Sequence, residues 1–294
     1  MDHLQEAATT ALPAVIALFM VGNLAAIGLE LDLRSALTPL RDPRFLGLVM
    51  LWDWVLCPGA AWLLAALVPM DGSNGLGLVL IGMAPAAPFL PMMVCKANGD
   101  LASAAAFMLV GAVGTVVFMP LALPILAPGL AITAWAIARP LLLLLLLPML
   151  AGLAVRTLAP RFADRLHRPV KLAGNLATVA LLIVVVILYR QGFVTAVGSY
   201  AIGTQLLYSA GSAIGAYPLG AGLQPGQRRT LTLGVCTRNL GAAIAPLLEV
   251  QSDPRATIMV ALGVPITLLV TFVAARWFES RRTSSQDAAS GRSR

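Results

Sequence analysis

The chain has 294 residues, 59% hydrophobic and 11% charged, with a formal net charge of +7 and a mean hydropathy of +0.87. A soluble domain carries roughly a quarter charged residues, whereas here apolar runs of about 20 residues, enough to cross a ~30 Å hydrocarbon core, recur from end to end. That excludes a soluble domain and indicates an all-α polytopic membrane protein. The basic residues lie between the apolar runs rather than in one patch, which argues against a nucleic-acid partner.

Nine spans are expected, over 11–29, 45–68, 75–95, 100–121, 132–155, 171–190, 196–220, 230–248 and 255–277. Residues 1–278 read as a single transmembrane unit. The Ser/Arg/Gln/Asp-rich stretch 279–294 lacks apolar periodicity and is expected to be a disordered tail. The first ten residues are net acidic, so no cleavable signal peptide is expected. Ala159–Val170 (APRFADRLHRPV) is too polar to span and reads as an interfacial or cytoplasmic connector.

Lys and Arg set the orientation, because cytoplasmic loops carry the excess. With the N-terminus outside, sixteen of them face the cytoplasm: Arg34, Arg41 and Arg44, Lys96, then Arg156, Arg161, Arg165, Arg168 and Lys171. Arg228 and Arg229 follow, and Arg276, Arg281, Arg282, Arg292 and Arg294 complete the set. Only Arg190 and Arg255 fall outside, so the expected placement is the inner membrane, N-terminus out and C-terminus in. Arg139 lies near the outer end of span 5, before Pro140 and a run of leucines, where it can snorkel to the interface.

Span 2 contains Asp53 between Trp52 and Trp54, the one acidic residue deep within a span. Span 3 contains Ala84-Pro85-Ala86-Ala87-Pro88-Phe89-Leu90-Pro91, where three prolines at intervals of three make a continuous helix improbable. Broken helices at membrane depth survive only inside protein or beside a water-filled cavity. Span 7 carries Thr204, Gln205, Tyr208 and Ser212, whose helical spacing suits a cavity face and helix–helix hydrogen bonding alike. In span 8, Gly234 and Gly241 flank Thr237-Arg238-Asn239, and Pro246 follows. A charge at the centre of a membrane helix costs about 2.5–3.5 kcal/mol even on the mildest scale.

The interrupted segments fall five spans apart, so spans 1–4 can be laid on spans 6–9 with span 5 as the joint. An odd offset makes the two halves inverted, and paired interruptions of this kind point to a secondary transporter's binding site. Asp53 lies nine residues after Arg44, and Arg238 nine after Arg229. Both should therefore sit ~13 Å from the inner edge, at one depth. Two opposite charges at one depth are expected to pair, either to lock two helices or within a cavity where Arg238 receives an anion or Asp53 a proton.

Cys57, Cys95 and Cys236 form no CxxC pair and read as small buried hydrophobes; His3 and His167 lie outside the spans. No histidine, cysteine pair or carboxylate dyad converges within the membrane, so no enzyme activity, metal or cofactor is expected. No nucleotide-binding loop is present, which disfavours a primary pump.

The order and spacing of several motifs resemble the bile acid:sodium symporter family over nearly the whole chain. Ile27-Gly28-Leu29-Glu30-Leu31 is similar to the family's Met-Gly-Leu-x-Leu, and Cys57-Pro58-Gly59-Ala60-Ala61-Trp62 to its Met-Pro-x-x-x-x. Ala84-Pro85 through Asn98-Gly99-Asp100 resembles Cys-Pro-Gly-Gly through Gly-Asp. Thr133-Ala134-Trp135, Pro148, Gly152 and Arg156 match the fifth span and its exit, and Arg238-Asn239-Leu240-Gly241 resembles Gln-Asn-Ser-Gly. The resemblance implies two inverted repeats in a panel and a core subdomain, two unwound helices crossing beside ion sites, and an organic anion in the cleft between subdomains.

The departures bear on mechanism. The family's Ser-Asn pair on the first crossing helix falls on Leu90 and Pro91, and the partnering Ser and Thr on Ala104 and Met108. At the second sodium site, a Gln, a Glu and a Gln become Asp53, Gly234 and Arg238. The expectation is a secondary transporter of a small organic anion by alternating access, coupled to protons or to nothing rather than to sodium. Arg238 would be a fixed substitute cation held by Asp53; Thr237, Asn239, Pro88 and Pro91 complete the candidate binding residues. The alternatives are an auxin-efflux-type carrier and a non-transporting receptor or sensor on the same fold; a homo-oligomer is left open.

Overall fold

Each helix boundary in the computed structural model has a local cause in the sequence. The backbone is described for residues 2–127, 133–248 and 254–290, and the side chains for 5–127, 133–247 and 254–281. Among the described residues the helices are α1 (Asp2–Glu30), α2 (Leu33–Leu37), α3 (Pro43–Leu67), α4 (Gly72–Gly82), α5 (Leu90–Lys96) and α6 (Leu101–Leu126). They continue with α7 (Ala134–Leu158), α8 (Pro160–Ala196), α9 (Ala201–Leu219), α10 (Pro225–Cys236), α11 (Leu240–Ile244) and α12 (Pro254–Ser290).

Acidic side chains start four of the helices by accepting from otherwise orphaned backbone amides; Asp32 caps α2 through Arg34 N and Ser35 N. Asp42 caps α3 through Arg44 N and Phe45 N, Asp71 caps α4 through Ser73 N, and Asp100 caps α6 through Ser103 N. The Asp100 backbone N–H also donates to Thr230 Oγ1 at 2.9 Å, and that hydroxyl donates back to Asp100 O at 3.0 Å, tying the start of α6 to α10. Asp100→Ala is expected to lower stability by about 1 kcal/mol, with Asp100→Asn close to wild type. Denaturant unfolding of the purified protein in detergent measures both.

Two of the long helices contain a wide π-turn, Trp52–Leu56 in α3 and Leu142–Leu146 in α7. Each ends two residues before a proline, Pro58 or Pro148. Proline has no N–H for the i−4 carbonyl and its ring crowds that turn, so the helix widens ahead of it. Asp53 stands in the first of these turns.

Among the described residues, six helices are long and apolar enough to cross a membrane, and they correspond to spans 1, 2, 4, 5, 6 and 9. The other three segments fall short for two different reasons. Expected spans 3 and 8 are interrupted, giving α4 and α5 on one side and α10 and α11 on the other. Span 7 is α9, which turns Ile202, Leu207 and Ile214 outward and Thr204, Gln205, Tyr208, Ser209 and Ser212 inward.

The stretch 159–170, expected as an interfacial or cytoplasmic connector, is helical from Pro160 and continuous with span 6, as the first third of the 37-residue helix α8. Pro160 starts it at a position where a missing N–H costs nothing, and the polar residues that follow are good helix formers. Its one non-helical residue is Tyr189 (φ −114°, ψ 21°). Lys171 Nζ pairs with Glu30 Oε2 at 3.1 Å, fixing this extension to the end of α1. The backbone of α12 continues past Glu279 to Ser290, within the stretch expected as a tail; residues 291–294 lie outside the described residues.

The helix α1 packs chiefly on α7 and α8. The approach is close because the facing residues are glycines: Gly28 lies against the Met149 carbonyl and Gly152 against that of Ala25, while Gly22 meets Gly174. The other principal packing pairs are α3 with α4, α4 with α12, and α9 with both α10 and α12.

Candidate functional site

The two interruptions meet. Pro85 and Arg238 form an isolated antiparallel bridge, and Asn239 N donates to Ala84 O at 2.8 Å. The breaks thus satisfy part of each other's backbone, which a dry membrane interior requires. Ala86, just past the bridge, is held in the left-handed region at φ 59°, where the resembling motif has glycine. A non-glycine residue there stores strain of about 1–3 kcal/mol, which the surrounding packing must sustain.

Arg238 is 1% exposed and Asp53 0%, and they face each other with Nη1 3.7 Å from Oδ1. That separation is an ion pair without a hydrogen bond. The guanidinium is held by other atoms: Nη2 donates to Cys57 Sγ at 2.7 Å and to the Val235 carbonyl. Cys57, read from sequence as a buried hydrophobe, is buried and is also a ligand to the arginine. The signal was present, since Cys57 follows Asp53 by four residues and so shares its helix face.

Thr237 and Asn239 are buried at the break, but their side chains serve the backbone. Thr237 Oγ1 donates to Gly234 O at 3.0 Å, ending α10, and Asn239 Oδ1 accepts from Ala242 N at 3.2 Å, starting α11. Pro91 is elsewhere: it borders a cleft of about 310 Å³ shared with Ile27, Glu30, Asp32 and Met108, a lining without Asp53 or Arg238. Pro88 is half-buried in the first break.

Leu90 and Ala104 are fully buried and Met108 nearly so, at the start of α5 and on α6. These side chains and that of Pro91 carry no oxygen for a cation. Gly234 has a packing reason: a Cβ there would fall 2.7 Å from the Phe107 ring, so no longer side chain fits without displacing it. Among the described residues, no group of three or more His, Cys, Asp or Glu side chains is arranged to hold a metal ion.

Around the pair lies a buried polar lining that sequence reasoning found only in part. Tyr208 of α9 is beside Cys57 and within electrostatic reach of Asp53 and Arg238. Trp52, Gln205 and Ser209 carry buried polar atoms without a hydrogen-bond partner. Trp52 and Ser209 had no sequence signal of their own, because their inward direction depends on which face of each helix meets its neighbours. Chemically, the site offers a fixed positive charge with Nε and Nη1 outside any hydrogen bond, and a carboxylate whose two oxygens accept none.

A family model described as "Sodium Bile acid symporter family" matches residues 15–196. No curated protein matches the chain.

Proposed function

The chain belongs to the sodium bile acid symporter family, and on that premise we propose that it carries a small organic anion across the inner membrane by alternating access, without the family's sodium coupling. In this reading nine segments cross the bilayer, N-terminus outside and C-terminus inside. Spans 1–4 and 6–9 form an inverted repeat whose broken members are α4–α5 and α10–α11. The α1, α7 and α8 group is the panel, and the remaining helices form the core. The solute enters the cleft bordered by α1, α2, α5 and α6.

One observation carries the proposal: the Arg238 guanidinium, paired with Asp53 at 3.7 Å, sits at the junction of the two breaks. There the resemblance places a sodium ion. A guanidinium is a permanent cation, and it supplies at that point the charge that sodium would bring. The carboxylates at the cleft are already engaged: Glu30 pairs with Lys171 and Asp32 caps α2, so neither stands as a lone charge against an anion.

The test uses purified protein and sealed vesicles. Thermal-shift screening with organic anions identifies a solute, and its uptake is then measured in sodium and in choline media. Equal uptake supports the proposal; strictly sodium-dependent uptake overturns it. Saturable binding of the solute without flux would instead favour the receptor reading.

A further inference from the structure

The inward face of α9 is polar along its length. Gln205, Tyr208, Ser209 and Ser212 follow at i, i+3, i+4 and i+7, a single helical stripe ~10 Å long. All four are at least nine-tenths buried, and both amide atoms of Gln205, the Tyr208 hydroxyl and Ser209 Oγ have no hydrogen-bond partner. The opposite face is apolar, so the stripe is not an accident of a generally polar helix. One end of the stripe reaches Cys57, Asp53 and Arg238. Trp52, its ring against Gly215 of the same helix, adds another unpartnered donor at that end.

The other end approaches a second pocket. A Cβ on Gly263 of α12 would lie 2.5 Å from Gln205 Nε2 and 3.2 Å from Ile81 of α4. Five residues before Gly263 is Ile258, and seven before Ile81 is Asn74. Both border a pocket of about 210 Å³ whose rim carries the Asp71–Arg255 ion pair at 2.5 Å. Along either helix the pocket is therefore ~8–10 Å from Gln205. Thr195, Ser199 and the buried Asn74 are the other polar members of that pocket's lining.

We propose that this stripe is a proton route joining the Asp71–Arg255 pocket to the Asp53 carboxylate. Chains of buried hydrogen-bonding groups ending on an intramembrane carboxylate are what proton relays require. A proton from water at the pocket passes along the stripe and forms an O–H bond on Asp53. In the return step that bond breaks, the carboxylate re-forms, and the proton leaves to water on the opposite side of the membrane. The titratable and charged groups facing Asp53 are Arg238 at the break, Cys57 on its own helix and Tyr208 on α9; Cys236 of α10 lies behind the arginine. Protonation removes the counter-charge from Arg238 and leaves an unneutralised cation where the two breaks meet. This coupling rests on the reading of Arg238 given above.

The experiment uses full-length protein in liposomes and the proton itself as probe. Infrared difference spectra on changing H2O for D2O follow the carbonyl stretch of a protonated carboxyl, assigned to Asp53 by its loss in Asp53→Asn. Gln205→Leu and Ser209→Ala are expected to slow deuteration of that band by about a hundredfold, the lower end of what a positioned proton-transfer group contributes. Gln205→Asn, which keeps the amide, and Leu207→Ala on the apolar face should exchange at the wild-type rate. Thermal melting verifies that each variant is folded. Equal rates in all variants, or no carboxyl band removed by Asp53→Asn at any pH the protein tolerates, overturn the route. Stabilisation of the wild type by sodium over choline would count instead against Arg238 as the fixed cation, whichever way the exchange rates fall.

Discussion

Asp53→Asn and Arg238→Gln are each expected to destabilise the protein by about 3–5 kcal/mol, and the double variant by less than either. Removing one partner strands the other charge where neither water nor lipid solvates it. Removing both strands nothing. Without Asp53 the guanidinium keeps Cys57 Sγ and the Val235 carbonyl as acceptors; without Arg238 the carboxylate, which accepts no hydrogen bond, can shed its charge only by taking a proton. Denaturant titration of all three variants in detergent, set out as a double-mutant cycle, measures the coupling. Additive losses would mean that the two charges stabilise the fold separately, and the pair as described would be wrong.

Gly28→Val and Gly152→Val are expected to cost about 1–3 kcal/mol or more, at the upper end of overpacking effects. A Cβ at Gly28 would lie 2.1 Å from Met149 O and 2.8 Å from Leu153 N. One at Gly152 would lie 2.4 Å from Ala25 O and 2.9 Å from Leu29 N. Every one of these neighbours is backbone of a rigid helix, so no side chain can yield and α1 must part from α7. Gly59 of α3 and Gly211 of α9 supply the contrast, since nothing lies within 4 Å of a Cβ built at either. Gly59→Ala and Gly211→Ala should leave stability unchanged or raise it by about 0.5–1 kcal/mol, the gain of alanine over glycine within a helix. If Gly28→Val melted with the two alanine variants, the close approach of α1 and α7 would be refuted.

Depth was legible from the sequence, and lateral position was not. The apolar runs, the proline cluster of span 3 and the polar triplet of span 8 located the six long apolar helices and both interruptions among the described residues, because these follow from local rules of length, hydropathy and backbone chemistry. Counting nine residues from Arg44 and from Arg229 placed Asp53 and Arg238 at one level for the same reason: rise per residue is a property of the helix alone. Gly28 and Gly152 were visible as members of motifs, without a physical reason attached to either.

Only the tertiary structure decided what stands beside what. It brought Asp53 and Arg238 within 3.7 Å and made Cys57 an acceptor for the guanidinium. It turned Thr237 and Asn239 to capping, because the ends of two half-helices inside the protein have no water to satisfy them. It joined the expected connector to span 6 as one helix, and set the polar stripe of α9 inward. It also supplied the cause of Gly28 and Gly152, the contact of two helices some 120 residues apart in the chain. A rotation about a helix axis leaves axial position and hydropathy almost unchanged while reassigning every neighbour, so composition and spacing determined where each residue lies along its helix, and packing determined what it touches.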